Sequence, residues 1–116
     1  MSELRWACQN GDLAVVKQLV EAGKADVSKE IDGRTPLHFA ADYGQLDVID
    51  YLVDKKANVN ATDKHGISVI LAAIWEGHTE CVKFLLSKGA SKSGKAPDGS
   101  GYLDCAEKDD IKALLK

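Results

Sequence analysis

Several things are scarce in this sequence, and each scarcity excludes a class of protein. Cysteine is rare and scattered: Cys8, Cys81 and Cys105 form an odd set with no CxxC pair. That argues against a disulfide framework and against a zinc knuckle. The longest apolar run, 67–75, is far too short to span a bilayer. No basic segment leads into an apolar stretch at the N-terminus, so no secretory signal is expected. A basic excess is also missing, since 15 Lys and Arg face 18 Asp and Glu, a net charge of −3. This argues against an electrostatic nucleic-acid binder and favours partners whose contact surface is basic. Prolines number 2 and aromatics make up 6%. The expectation is a soluble, reduced, intracellular chain that engages neither nucleic acid nor membrane.

What is present is an ordinary globular composition, 45% apolar and 28% charged over 116 residues. A chain of this length buries roughly two-thirds of its unfolded surface, enough for a core without staples. Self-similarity organises it. Gly11, Gly44 and Gly77 are 33 residues apart, as are Gly33, Gly66 and Gly99. Ala7, Ala40, Ala73 and Ala106 keep the same step, and so do Leu4, Leu37, Ile70 and Leu103. Val16, Ile49 and Val82 form a further set, beside Leu19-Val20, Leu52-Val53 and Leu85-Leu86. So many aligned columns predict one structural module stacked on the next.

Within a unit the pattern reads as two short helices. Thr35 is placed to cap, with Pro36 at the first helical position, where a missing N–H costs nothing. Leu37, Ala40 and Ala41 give an apolar face at helical spacing, and Gly44 ends the helix. A second helix starts near Leu46, with Val48, Ile49, Leu52 and Val53 on its buried side. The Lys55-Lys56 pair at its end suits the helix dipole. Neither face can be buried alone, whereas stacked units make one continuous core.

The run Gly33-Arg34-Thr35-Pro36-Leu37-His38-Phe39-Ala40-Ala41, with its 33-residue step, resembles the ankyrin repeat. The resemblance covers the whole chain. It implies an all-α ankyrin-repeat solenoid of four stacked helix-turn-helix units, about 1–32, 33–65, 66–98 and a truncated capping unit 99–116. With a polar outer face at each end the array is expected to be whole. Ser68-Val69-Ile70-Leu71 departs from Thr35-Pro36-Leu37-His38, although Ser68 can still cap. The first unit carries one extra residue at 23–26, and the loop after it is one residue shorter than 60–66, which restores the register.

Catalytic and metal readings find little support. His38 is expected to hydrogen-bond neighbouring loop backbone, as the family uses it; His65 and His78 fall in turns. No two histidines stand at i, i+4 with an acidic third ligand. The cysteines read as small packing residues with no base nearby. No enzyme and no cofactor are expected.

Binding is better supported. The resemblance places the variable residues, on the loop tips and one side of each first helix, along a concave face. Candidate contacts are Trp6, Glu30, Asp32, Arg34, Asp42, Tyr43, His65, Trp75 and Glu76. Trp75 shares its repeat position with Asp42, which is expected to face solvent, and an exposed tryptophan suits an interface anchor; the alternative is that it covers a gap between units. Trp6 falls at the Phe39 position, where the missing preceding loop leaves it partly open.

The motifs Ala40-Ala41-Asp42, Gly44-Gln45-Leu46, Asp63-Lys64-His65, Glu76-Gly77-His78, Cys81-Val82-Lys83 and Leu85-Leu86-Ser87-Lys88-Gly89-Ala90 resemble one small cytosolic member of the family more closely. Gly101-Tyr102-Leu103-Asp104 departs from its pattern. This resemblance implies a monomer that binds the basic surface of the heterodimeric actin capping protein and inhibits barbed-end capping. Rel-family transcription factors are a weaker implied partner. The alternative reading is an ankyrin-type inhibitor of a cyclin-dependent kinase. A cytoplasmic location is expected, with a nuclear one as an addition.

Overall fold

The computed structural model describes residues 2–116. Within them eight helices follow one another in pairs. α1 (Glu3–Asn10) is joined to α2 (Leu13–Glu21), and α3 (Pro36–Asp42) to α4 (Leu46–Asp54). α5 (Val69–Trp75) is joined to α6 (Thr79–Ser87), and α7 (Tyr102–Cys105) to α8 (Asp109–Leu115). Strand pairing among the described residues is confined to isolated bridges: Ile31 with Arg34, Thr62 with Ser68 and Lys95 with Gly101. These close the loop that precedes each of the last three pairs.

Local chemistry fixes where the helices start. The hydroxyls of Ser2 and Ser68 accept the amides of Arg5 and Leu71 at 3.2 Å. A carboxylate oxygen of Asp12 does the same for Val15, and the Thr35 hydroxyl for His38. Each cap satisfies an amide that the helix itself leaves without a partner. Between α3 and α4 the chain reverses through Gly44 at φ 69°. A Cβ there would stand 2.6 Å from Nδ1 of His78, so both backbone and space demand glycine.

The first helices of successive pairs pack on one another, α1 on α3 on α5 on α7, and the second helices form an outer row. The result is a body 41 Å long and 24 by 22 Å across. α3 and α5 are flanked on both sides, and Leu37, Phe39, Ala40, Ala41 and every residue from Val69 to Ile74 are buried. Each large aliphatic side chain so buried contributes about 1.5–3 kcal/mol. Val16, Ile49 and Val82 are fully buried, as their spacing predicts.

Leu103 corrects one expectation. It continues the Leu4, Leu37, Ile70 series but is 39% exposed, and Tyr102 is buried instead. α7 packs on α5 and α8 with no further pair beyond it.

Polar joints tie the units together at the loops. His38 Nε2 donates to the carbonyl of Ile67 at 2.8 Å. Its Nδ1 accepts from the Thr35 amide and hydroxyl, at 3.2 and 2.8 Å. This is the backbone-bonding role expected for His38, and it requires the neutral ring protonated on Nε2. Unit three lacks that histidine, and there the Ser68 hydroxyl meets the Tyr102 hydroxyl at 2.6 Å.

Burial, above all, holds the His38 pKa below its ordinary 6.5, opposed by the bond to Ile67. The folded chain therefore binds fewer protons than the unfolded one below neutrality. Its contribution is complete above pH 6.5 and is lost as pH falls through that value and on through the folded pKa. Urea unfolding is expected to show stability falling from pH 7.5 to 5.5, as on the order of one group's linkage predicts, with a flatter profile in His38→Gln. Lys56 sits at φ 75°, where neighbouring units have Gly23 and Gly89. Left-handed strain of about 1–2 kcal/mol there exceeds the unfolded-state entropy that glycine adds. Lys56→Gly is expected to raise the unfolding free energy by about 0.5–1 kcal/mol in the same assay.

Candidate functional site

The loop tips and the exposed sides of α1, α3 and α5 carry the candidate contacts. The first tip closes through Asp32 and Gly33, at φ 54° and 83°. Two consecutive left-handed residues are what a two-residue hairpin turn needs, and Asp-Gly supplies them. The next tip is longer, and Asp63 shapes it: its Oδ1 accepts the amides of His65 at 2.8 Å and Ile67 at 2.9 Å. The tips are joined directly, since the Lys64 amide donates to the Gly33 carbonyl at 2.9 Å.

Three aromatic side chains stand half out in solvent: Trp6 at 45%, Tyr43 at 56% and Trp75 at 45%. Phe39, the repeat counterpart of Trp6, is buried, so the opening predicted for Trp6 is present. Trp75 faces solvent as expected, and its indole lies near enough to Cys105 of the last pair to act on that thiol's pKa.

Asp42 departs from expectation. Its side chain is only 24% exposed and is ion-paired with Arg34. Arg34 turns its Nε towards Asp63, 3.5 Å from a carboxylate that is 2% exposed. Burial opposes ionisation of Asp63, but the amides of Ile67 and His65, with the charge of Arg34, outweigh it and lower its pKa. Arg5, which the sequence did not single out, pairs with Asp32 at 3.0 Å. Arg5 and Arg34 both lie over the Phe39 ring, 4.9 and 5.2 Å from its centre. Two of the candidate carboxylates, Asp32 and Asp42, are thus paired with arginines.

Asp42, Tyr43, Glu76 and His78 line one shallow groove between the second and third pairs. His78 Nε2 donates across it to the Asp42 carbonyl at 2.8 Å. His65 is exposed at its tip. Glu30 is exposed but lies apart from the groove, lining depressions with Val27, Ser28 and Ala57 and with Lys24 and Lys29. No local signal could have found Arg5 or Asp63 as members of this network. Their partners are 27 residues away for Arg5 and 29 for Asp63, off the 33-residue step.

Among the described residues no group of three His, Cys, Asp or Glu side chains could hold a metal ion, and no helix is long and apolar enough to cross a membrane.

Capped helix pairs stacked on a 33-residue step, joined by tight loops, define an ankyrin-repeat solenoid. The family model for ankyrin repeats, in three copies, matches residues 4–96, and the chain belongs to that family. It is 51% identical over 114 residues to myotrophin of Xenopus tropicalis, an alignment that takes in 97% of this chain and 96% of that protein. It is also 46% identical over 83 residues to 26S proteasome non-ATPase regulatory subunit 10 of Dictyostelium discoideum, covering 69% of this chain and 35% of that one. With ankyrin repeat and SAM domain-containing protein 6 of Rattus norvegicus the identity is 36% over 100 residues, 84% of this chain and 11% of the relative. The chain is a protein-interaction module.

The three thiols differ in access. Burial pushes Cys8 up to about 12 and, with the charge of Glu80, Cys81 to about 11. Cys105 is only half-buried; burial and then the charge of Asp98 raise its pKa, and the Trp75 indole opposes them. A thiol-disulfide reagent at pH 8 is expected to titrate Cys105 alone in the native protein and all three thiols in denaturant.

Proposed function

We propose that the face carrying Trp6, Tyr43, Trp75 and Glu76 binds the heterodimeric actin capping protein and inhibits barbed-end capping, leaving filament ends free to grow. The observation that carries this reading is three half-exposed aromatics, with Tyr43 sharing a groove with the carboxylates of Asp42 and Glu76. Large apolar side chains left open on an otherwise well-covered surface suit the centre of an interface. Carboxylates around them suit a basic partner and speed its approach. The near end-to-end likeness to myotrophin supports the same reading, because that resemblance implies this partner.

The reading needs no catalysis. His38 is committed to structural bonds, and the buried thiols are held protonated. The protein acts as a monomer by occupying a surface, and its place of work is the cytoplasm, where barbed ends are.

Trp75→Ala is expected to weaken binding to purified capping protein by about 2 kcal/mol, roughly thirtyfold. Glu76→Lys is expected to slow association, more at low salt than at high salt. Calorimetry and barbed-end actin growth measure both, with circular dichroism confirming the fold. Unchanged affinity in folded variants at both salt concentrations overturns the reading.

A further inference from the structure

Among the described residues Arg34 is the one cation ion-paired with two acidic side chains, one on α3 and one in the loop that leads to α5. Its guanidinium pairs with Asp42 at the end of α3 and approaches Asp63 in the next loop. It also lies on the Phe39 ring, which Arg5 shares. Two backbone amides fill Oδ1 of Asp63, and Arg34 Nε faces its Oδ2. Asp42 has fewer partners and lines the groove shared with Tyr43, Glu76 and His78.

The stack does not require this ion pair. One step along the array, the positions of Arg34 and Asp42 are held by Ile67 and Trp75. Unit three forms the same helix pair with an aliphatic and an aromatic residue at the positions where unit two has opposite charges. Each side chain of this pair is 24% exposed, and an ion pair open to solvent contributes about 0–1 kcal/mol to folding. Its larger effect is on charge: it cancels a carboxylate that would otherwise stand beside the exposed Tyr43.

We propose that Arg34 is a specificity-determining residue, occupying on Asp42 the place that a guanidinium or ammonium group of a basic partner takes on docking. It rests on the reading of this face as a surface for a basic protein. A partner cation must displace Arg34 from Asp42, after which Arg34 keeps its contact with Asp63. Weakly basic surfaces are thereby refused, and only a partner that also covers the aromatics gains enough to make the exchange.

The probe is a hexa-arginine peptide titrated by calorimetry at low ionic strength and at about 0.15 M salt, with capping protein titrated in parallel. Arg34→Gln is expected to bind the peptide about fivefold more tightly at low salt, the order for freeing one partly exposed carboxylate. Lys83→Gln makes the same charge change on the exposed side of α6 and is expected to gain less than about twofold, since distance and salt screen it. Asp42→Asn alone should change affinity less than about twofold, yet remove the whole gain in the Arg34→Gln background, which is the signature of coupling. Arg34→Lys keeps a point charge without the planar fork and should fall between the two; it serves as the test if Arg34→Gln does not fold.

Equal gains from Arg34→Gln and Lys83→Gln overturn the proposal. So does an Asp42→Asn effect that is the same in both backgrounds, an Arg34→Lys affinity no better than wild type, or peptide binding undetectable in every variant. Coupling seen with the peptide while capping protein fails to bind wild type refutes the proposed partner and leaves the role of Arg34 standing.

Discussion

No helix pair in this molecule has a core of its own. The helices run from four to nine residues, too short to persist in water without tertiary contacts. Each therefore depends on the pair before and after it, and the small residues Ala40, Ala41, Ala72 and Ala73 let the first helices approach closely enough to share one apolar interior. This dependence explains why the interior columns repeat so strictly. A column residue is constrained from two sides at once, so a change in one unit is felt by its neighbours.

Where the units meet at their edges, the position recurs and the chemistry does not. The residue capping α4, Gln45, reaches back to the Gln9 carbonyl at 2.9 Å. The residue capping α6, His78, reaches back to the Asp42 carbonyl. At α8 the same place belongs to Lys108, whose side chain covers Gly77. Likewise the seam bridged by His38 between units two and three is bridged by Ser68 and Tyr102 between units three and four. A buried polar group needs a partner, but any partner of adequate reach satisfies it. Edge positions therefore tolerate sequence divergence that the interior columns do not.

That division also explains how much could be read from sequence. The caps at Thr35 and Ser68, the left-handed Gly44 and the columns of Val16 and Leu37 follow from residues within one helical turn, or from the period itself. Leu103 could not be read, because its column position is right and only its place at the end of the described stack exposes it. Asp42 could not be read either. A period predicts where a residue stands, not which side chain comes to meet it, and Arg34 meets Asp42 from just before the start of the helix that Asp42 ends. Glu30 shows the reverse error: a variable loop residue need not share the face of its neighbours when the tip turns as tightly as Asp32-Gly33 does.

The exposed aromatics stand outside these folding constraints. At the repeat position of Trp75 a charged residue serves unit two, and at that of Trp6 a buried phenylalanine does. The stack thus accepts quite different side chains at both places. Leaving an indole half in water forgoes stabilisation that burial would supply, on the order of 1 kcal/mol or more. Packing gives no reason for three such side chains on a single small stack, and Trp75 stays 45% exposed although its indole acts on the Cys105 thiol. A second surface, brought by a partner, is what would complete their burial. Because the helices beneath are fixed by their packed neighbours, that surface meets a preformed face and little ordering entropy is lost on docking.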